Sequence, residues 1–216
     1  MNLQYLDGDF GKSRTASRRE TVFAKKGMVC TSQPLAAQAG LDALKAGGNA
    51  IDAAITAAAA MTVLEPTSNG LGSDAFAILW IEKEKKLIGL NASGKAPMGI
   101  SLEEMKKKGY TSMPDSGWDP VMVPGAPAAW AKLTADYGRR TLAENVAPAA
   151  RYAEEGFPVQ PTVSALFAAC APVLKSTVEP RFFFISGPRC QGVYSPARLR
   201  EIRRPPAPMT STAPMT

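Results

Sequence analysis

The 216-residue chain contains no histidine. That excludes Ser-His-Asp and Cys-His nucleophilic catalysis within this polypeptide and removes the commonest zinc ligand. Cysteine is scarce too. Cys30, Cys170 and Cys190 fit neither a metal spacing nor an even disulfide framework, and no metal or cofactor is expected. Cys30 stands in an apolar stretch and reads as a small core residue. Long hydrophobic runs are missing. The longest uncharged helical stretch, residues 53–64, is too short to span a bilayer, and the N-terminus has no apolar segment of signal length. The chain is therefore expected to be cytoplasmic, with no membrane partner.

Aromatic residues make up only 7% of the chain and are scattered, so no stacking platform for bases is visible. The net charge of +6 does not supply a nucleic-acid stripe either. Residues 1–26 carry six basic and three acidic groups, and residues 175–216 carry seven and two. The middle, 27–174, carries twelve basic and fourteen acidic groups. The basic character belongs to the two ends, and no nucleic-acid partner is expected.

What is present is a 45% hydrophobic, globular composition, long enough for one domain or one and a half. Three regions follow from texture: a polar arm over 1–26, a folded region over 27–178, and a Pro-rich tail over 179–216 in which APMT occurs twice. The tail reads as a chain end of different origin, either a shifted reading frame or a cloning scar.

Within the folded region, Met28 to Thr31 reads as a short strand. Pro34 suits the first turn of a helix running to Ala46, with Ala36, Ala39, Ala43 and Leu44 on its buried face and Gly47-Gly48 as its stop. Asn49 is an N-cap for the next helix, and Asp52 lies three residues on, a partner for the helix dipole rather than an acid–base group. Residues 53–64 are apolar or small on every side, so that helix should be buried. Pro66 ends it, and Thr67 to Gly72 is a loop. Residues Asn69 to Asp74 could cradle an anion through backbone N–H groups, although a tight connection is the commoner role of such a loop.

Ala75 to Ile81 and Lys86 to Asn91 read as two strands joined by a charged turn. Ser101-x-x-Glu104 caps a short helix. Further helices are expected at about Pro127 to Tyr137, after the Thr141-x-x-Glu144 box, and over 162–174. Pro148 should bend or restart the second of these. Trp80, Trp118 and Trp130 read as core or rim.

Four segments carry a resemblance. They are Gly27 through Gly48-Asn49-Ala50-Ile51-Asp52-Ala53-Ala54, Glu65-Pro66 through Gly70-Leu71-Gly72 to Phe76, Ala96-Pro97, and Val123-Pro124-Gly125 followed by Tyr137-Gly138 and Glu155-Gly156-Phe157. In order and spacing, from about residue 27 to 175, they resemble the large subunit of the gamma-glutamyltranspeptidase family of N-terminal-nucleophile hydrolases.

The resemblance implies an α+β fold: part of an αββα sandwich, with a helical layer on a few strands. It implies a hydrolase or acyltransferase of gamma-glutamyl, glutathione-type amide bonds. The family's nucleophile is a threonine that begins the small subunit. It would lie beyond this chain, so no catalytic residue is assigned here, and the C-terminal small subunit is the implied partner. Such a threonine needs no histidine, because its own α-amine serves as base. The fragment alone should be inactive.

The family holds the substrate α-carboxylate with the arginine of Arg-Glu-x-Ala-Pro. Here Ser93 occupies that position and Lys95 supplies the nearby cation, so Ser93 and Lys95 are the candidate substrate-binding residues. A lysine is a point charge without a bidentate fork, which leaves room for a broader amide hydrolase or acylase. Lys95 as a solvated surface lysine is the competing reading. A non-catalytic packing or partner-binding domain on the same fold is the other functional class.

Overall fold

The protein is described by a computed structural model covering residues 22–114 and 117–177. In chain order the elements are α1 (Pro34–Lys45), α2 (Ala50–Leu64), β1 (Ala75–Ile81), β2 (Lys86–Ala92), α3 (Leu102–Lys107), α4 (Gly125–Tyr137), α5 (Leu142–Glu155) and α6 (Pro161–Thr177). The expected helices and both strands of the expected pair are present. The arm and tail expected at the chain ends lie largely outside the described residues.

Local chemistry sets the helix ends. Pro34 opens α1, where a missing N–H costs nothing, and the buried Gln33 side chain accepts from the Leu35 N–H at 2.6 Å. Asn49 caps α2 by accepting from the Ile51 and Asp52 N–H groups, while Asp52 accepts from the Asn49 N–H, closing a reciprocal capping box. Thr141 and Glu144 do the same for α5.

Helix α2 is the centre of the molecule, with α1 on one side and α5 on another. Ala53, Ile55, Ala57, Ala59, Ala60 and Leu64 are all buried, as an all-round apolar helix requires. Ile55 and Leu64 alone contribute about 1.5–3 kcal/mol each through burial. Ala36 and Ala39 of α1 join Ala60, Met61, Leu64 and Phe157 in one cluster. A second cluster sets Ile51, Ile55 and Ala59 of α2 with Ala126, Ala129, Trp130 and Leu133 of α4.

That second cluster rests on the sheet. Strands β1 and β2 pair antiparallel, with Ala75 opposite Ala92 and Ile81 opposite Lys86. Strand alternation turns Ala75, Ala77, Leu79, Ile81, Leu90 and Ala92 toward the helices. The other face carries Phe76, Ile78, Trp80 and Leu87, at 56–80% exposure.

Three expectations are corrected. Residues 28–31 form no strand. Among the described residues β1 and β2 pair only with each other, and a strand exists only with a partner to complete its ladder. The segment docks on the helices instead: Thr31 reaches the Met61 sulfur at 3.5 Å, Ser32 donates to Glu65 at 2.9 Å, and Cys30 is exposed.

Pro148 does not restart its helix, since α5 continues through it. The Glu144 carbonyl, four residues earlier, accepts from the Arg140 guanidinium at 3.3 Å in place of the N–H that proline lacks. Finally, Trp130 is core, but Trp80 and Trp118 are exposed, because the faces they occupy have no covering element among the described residues.

Candidate functional site

The two stretches singled out by sequence meet at one end of the ribbon. Strand β1 begins immediately after Asp74, and β2 ends immediately before Ser93. Their terminal residues, Ala75 and Ala92, are register partners. The Gly-rich loop and the Ser93–Lys95 segment are therefore neighbours, although about twenty residues separate them in the chain.

The Ser93–Lys95 segment is shaped by its main chain. Asn91 Oδ1 accepts from the Ser93 N–H at 3.0 Å, turning the chain as β2 ends. Gly94 then takes φ +76°, a left-handed conformation that glycine adopts without a Cβ penalty. The Lys95 carbonyl accepts from the Val123 N–H at 2.9 Å. Ser93 and Lys95 are both exposed, and among the described residues the Lys95 ammonium forms no ion pair.

The Gly-rich loop is bonded to itself and to α4. Its Asn69 and Ser73 N–H groups donate to the Glu65 and Gly70 carbonyls at 3.1 and 3.2 Å. The Ser73 hydroxyl also donates to the Gly70 carbonyl, at 2.5 Å. The Ser73 carbonyl accepts from the Gly125 and Ala126 N–H groups at 3.1 and 2.9 Å. Pro124 provides no side-chain cap for α4, and this carbonyl takes that role.

Asp52 belongs to the scaffold. It is fully buried and accepts from the Asn49, Arg139 and Arg140 N–H groups at 2.8, 3.0 and 3.2 Å and from Asn145 Nδ2 at 3.0 Å. Burial pushes its carboxyl up, but these hydrogen bonds outweigh burial and hold it below the ordinary value of 3.8. Thr56 and the Arg140 guanidinium complete the network through Asn145 Oδ1, at 3.4 and 3.2 Å. Asp52 is thus more than a helix-dipole partner: it ties the start of α2 to the α4–α5 connection.

No group of three metal-ligating side chains occurs among the described residues. Sequence reading singled out Val123-Pro124-Gly125 only as a segment of the resemblance, and it did not find the contact of Val123 and Gly125 with this site or the part of the Ser73 carbonyl. The last is a backbone atom and leaves no side-chain trace. The Pro124-Gly125 pair was a legible signal for a helix start, but not for what that start touches.

Residues 36–199 match the family model described as gamma-glutamyltranspeptidase, and the chain belongs to that family. It is 36% identical over 141 residues to the glutathione hydrolase-like YwrD proenzyme of Bacillus subtilis, an alignment covering 65% of this chain and 26% of that protein.

Among solved structures it resembles a cephalosporin acylase from Bacillus halodurans, with a TM-score of 0.78 and 51% identity, covering 90% of this chain and 39% of the other. It shares the fold of Helicobacter pylori gamma-glutamyltranspeptidase, with a TM-score of 0.75 at 23% identity, covering 84% of this chain and 54% of the other. The chain thus spans about a quarter of the length of the curated relative it matches.

Proposed function

We propose that this chain is the amino-terminal part of the large subunit of an N-terminal-nucleophile hydrolase or acyltransferase acting on gamma-glutamyl, glutathione-type amides. The observation that carries the reading is the exposed Ser93–Lys95 segment, pinned at the ribbon's end within a chain of this family. In the proposed reaction a downstream small subunit supplies the threonine whose hydroxyl attacks the amide carbon, with its own α-amine taking the proton. The amine of the substrate leaves, and water or a second amine then takes the acyl group. This chain's part is binding: the Lys95 ammonium meets the substrate carboxylate as a point charge, and the Ser93 hydroxyl is available as a hydrogen-bond partner.

The outer face of the ribbon supports a partner that covers it. Phe76, Ile78, Trp80 and Leu87 form an exposed apolar strip on a sheet whose other face is already packed. A second reading, a broader acylase, is favoured by Ser93 standing where the resemblance expects arginine and by the 51% identity to a cephalosporin acylase. A packing domain without catalysis is the reading left if restored protein shows no turnover.

The test has two arms. The 216-residue chain alone should show no turnover, and activity in it would overturn the reading. With the downstream sequence restored and matured, Lys95→Ala should lower kcat/KM for a carboxylate-bearing donor by about 1–3 kcal/mol, leaving its amide analogue nearly unchanged. Equal losses for the two donors would remove Lys95 from the site.

A further inference from the structure

The start of α4 and the residue before its N-cap, Val123, touch both halves of the candidate site through backbone alone. On one side the Gly125 and Ala126 N–H groups close on the Ser73 carbonyl. On the other the Val123 N–H closes on the Lys95 carbonyl. The two bonding sets are at most three residues apart on a helix start, so they cannot shift independently without breaking one of them.

The approach leaves no room for a side chain. A Cβ on Gly125 would stand 2.0 Å from the Ala92 carbonyl oxygen and 2.8 Å from the Gly94 nitrogen. A Cβ on Gly94 would stand 2.2 Å from the Val123 carbonyl oxygen. Both obstructions are backbone atoms, which yield only if the junction opens.

We propose that Val123–Ala126 is the positioning element of the substrate site, locking the Gly-rich loop and the Ser93–Lys95 segment into one unit. This rests on the proposed substrate role of Lys95, and it assigns Gly125 and Val123 as positioning residues rather than catalytic ones. A carboxylate bound by a lone flexible lysine gains little unless the backbone carrying that lysine is fixed. Here the fixing comes from a helix start that also holds the loop before β1.

Native-state hydrogen exchange of the unmodified chain under rising urea tests the junction without any substrate. The Val123, Gly125 and Ala126 amides, the donors of the junction, should exchange through one shared opening, with the same urea dependence. Separate urea dependences for Val123, which reports the Lys95 side, and Ala126, which reports the Ser73 side, would overturn the proposal. Gly125→Ala should raise exchange at Val123 and Ala126 together. A rise at only one of them is again the overturning result, and the urea experiment decides alone if this variant does not fold.

In protein restored with its downstream sequence, Gly125→Ala should raise KM for a carboxylate-bearing donor about tenfold relative to its amide analogue. Its kcat should be nearly unchanged for both. Equal changes for the two donors overturn the positioning role when Lys95→Ala does discriminate them. If Lys95→Ala does not discriminate either, the failure lies in the substrate role of Lys95, and the exchange result still decides the junction.

Discussion

The Arg140 guanidinium donates to the carbonyl oxygen of Glu144, the carbonyl that Pro148 leaves without its helical partner. A proline inside a helix removes one backbone hydrogen bond and crowds the turn before it, at about 3 kcal/mol or more. Here a side chain from the preceding connection satisfies the orphaned oxygen, and the helix runs on.

A double-mutant cycle reads this coupling. Arg140→Ala should destabilise the chain by about 1–2 kcal/mol, because it strips both Glu144 and Asn145 of a donor. Pro148→Ala restores an N–H at the right place, so it should recover more stability in the Arg140→Ala background than in the wild type, by about 0.5–1 kcal/mol. Denaturant melts of the four proteins measure it, and additive effects would show that the two residues do not communicate.

Asp52 predicts a pH dependence. Its folded carboxyl lies below the ordinary 3.8, so the folded state binds this proton less readily than the unfolded chain. The stabilisation is fully present above the unfolded value and is lost as pH falls from there through the folded value. Asp52→Ala should cost about 3 kcal/mol or more at neutral pH, because it strips the part-buried N–H groups of three residues and the buried Asn145 amide of their acceptor. It should also flatten the acid limb. Urea melts from neutral pH to the acid range give both numbers, and an unchanged acid limb in the variant would assign that limb to other carboxylates.

The exposed strip on the ribbon predicts a third outcome. Ile78→Thr with Trp80→Thr should change stability by no more than about 0.5 kcal/mol per site, since both side chains face solvent. The pair should lower self-association in sedimentation velocity, because it removes the centre of an apolar patch on an open-edged sheet. Unchanged association would show that the strip is not sticky by itself.

Tryptophan quenching gives a fourth. Trp130 is 7% exposed, whereas Trp80 and Trp118 are 56% and 84% exposed. In single-tryptophan variants, acrylamide should quench the latter two strongly and Trp130 weakly. Strong quenching of Trp130 would contradict the packing of α4 on α2.

What the sequence made legible was local. Asn49 with Asp52, Thr141 with Glu144, and the small residues of 53–64 announce their own helices, because caps and burial patterns act within one or two turns. The two strands were legible through alternation and their charged turn. The misread elements depend on distant partners. Met28–Thr31 has strand composition but no ladder to join. Trp80 lies on a sheet face whose cover is not among the described residues. Pro148 is rescued by Arg140 in the preceding connection. At the candidate site, Lys95 could be singled out by its type, but its anchoring runs through the carbonyls of Ser73 and Lys95. Carbonyls are present at every position and so identify none.

The central place of α2 also bears on how the chain leaves the ribosome. Its contacts with α1 form as soon as residue 64 is made, since the two helices are consecutive. The side that α5 covers must wait for residues 142–155. At ~5–20 residues per second that interval lasts several seconds, with Asp52 and Thr56 still without their Asn145 partner. A nascent chain halted before residue 142 therefore offers a chaperone a helix face that α5 covers in the finished domain.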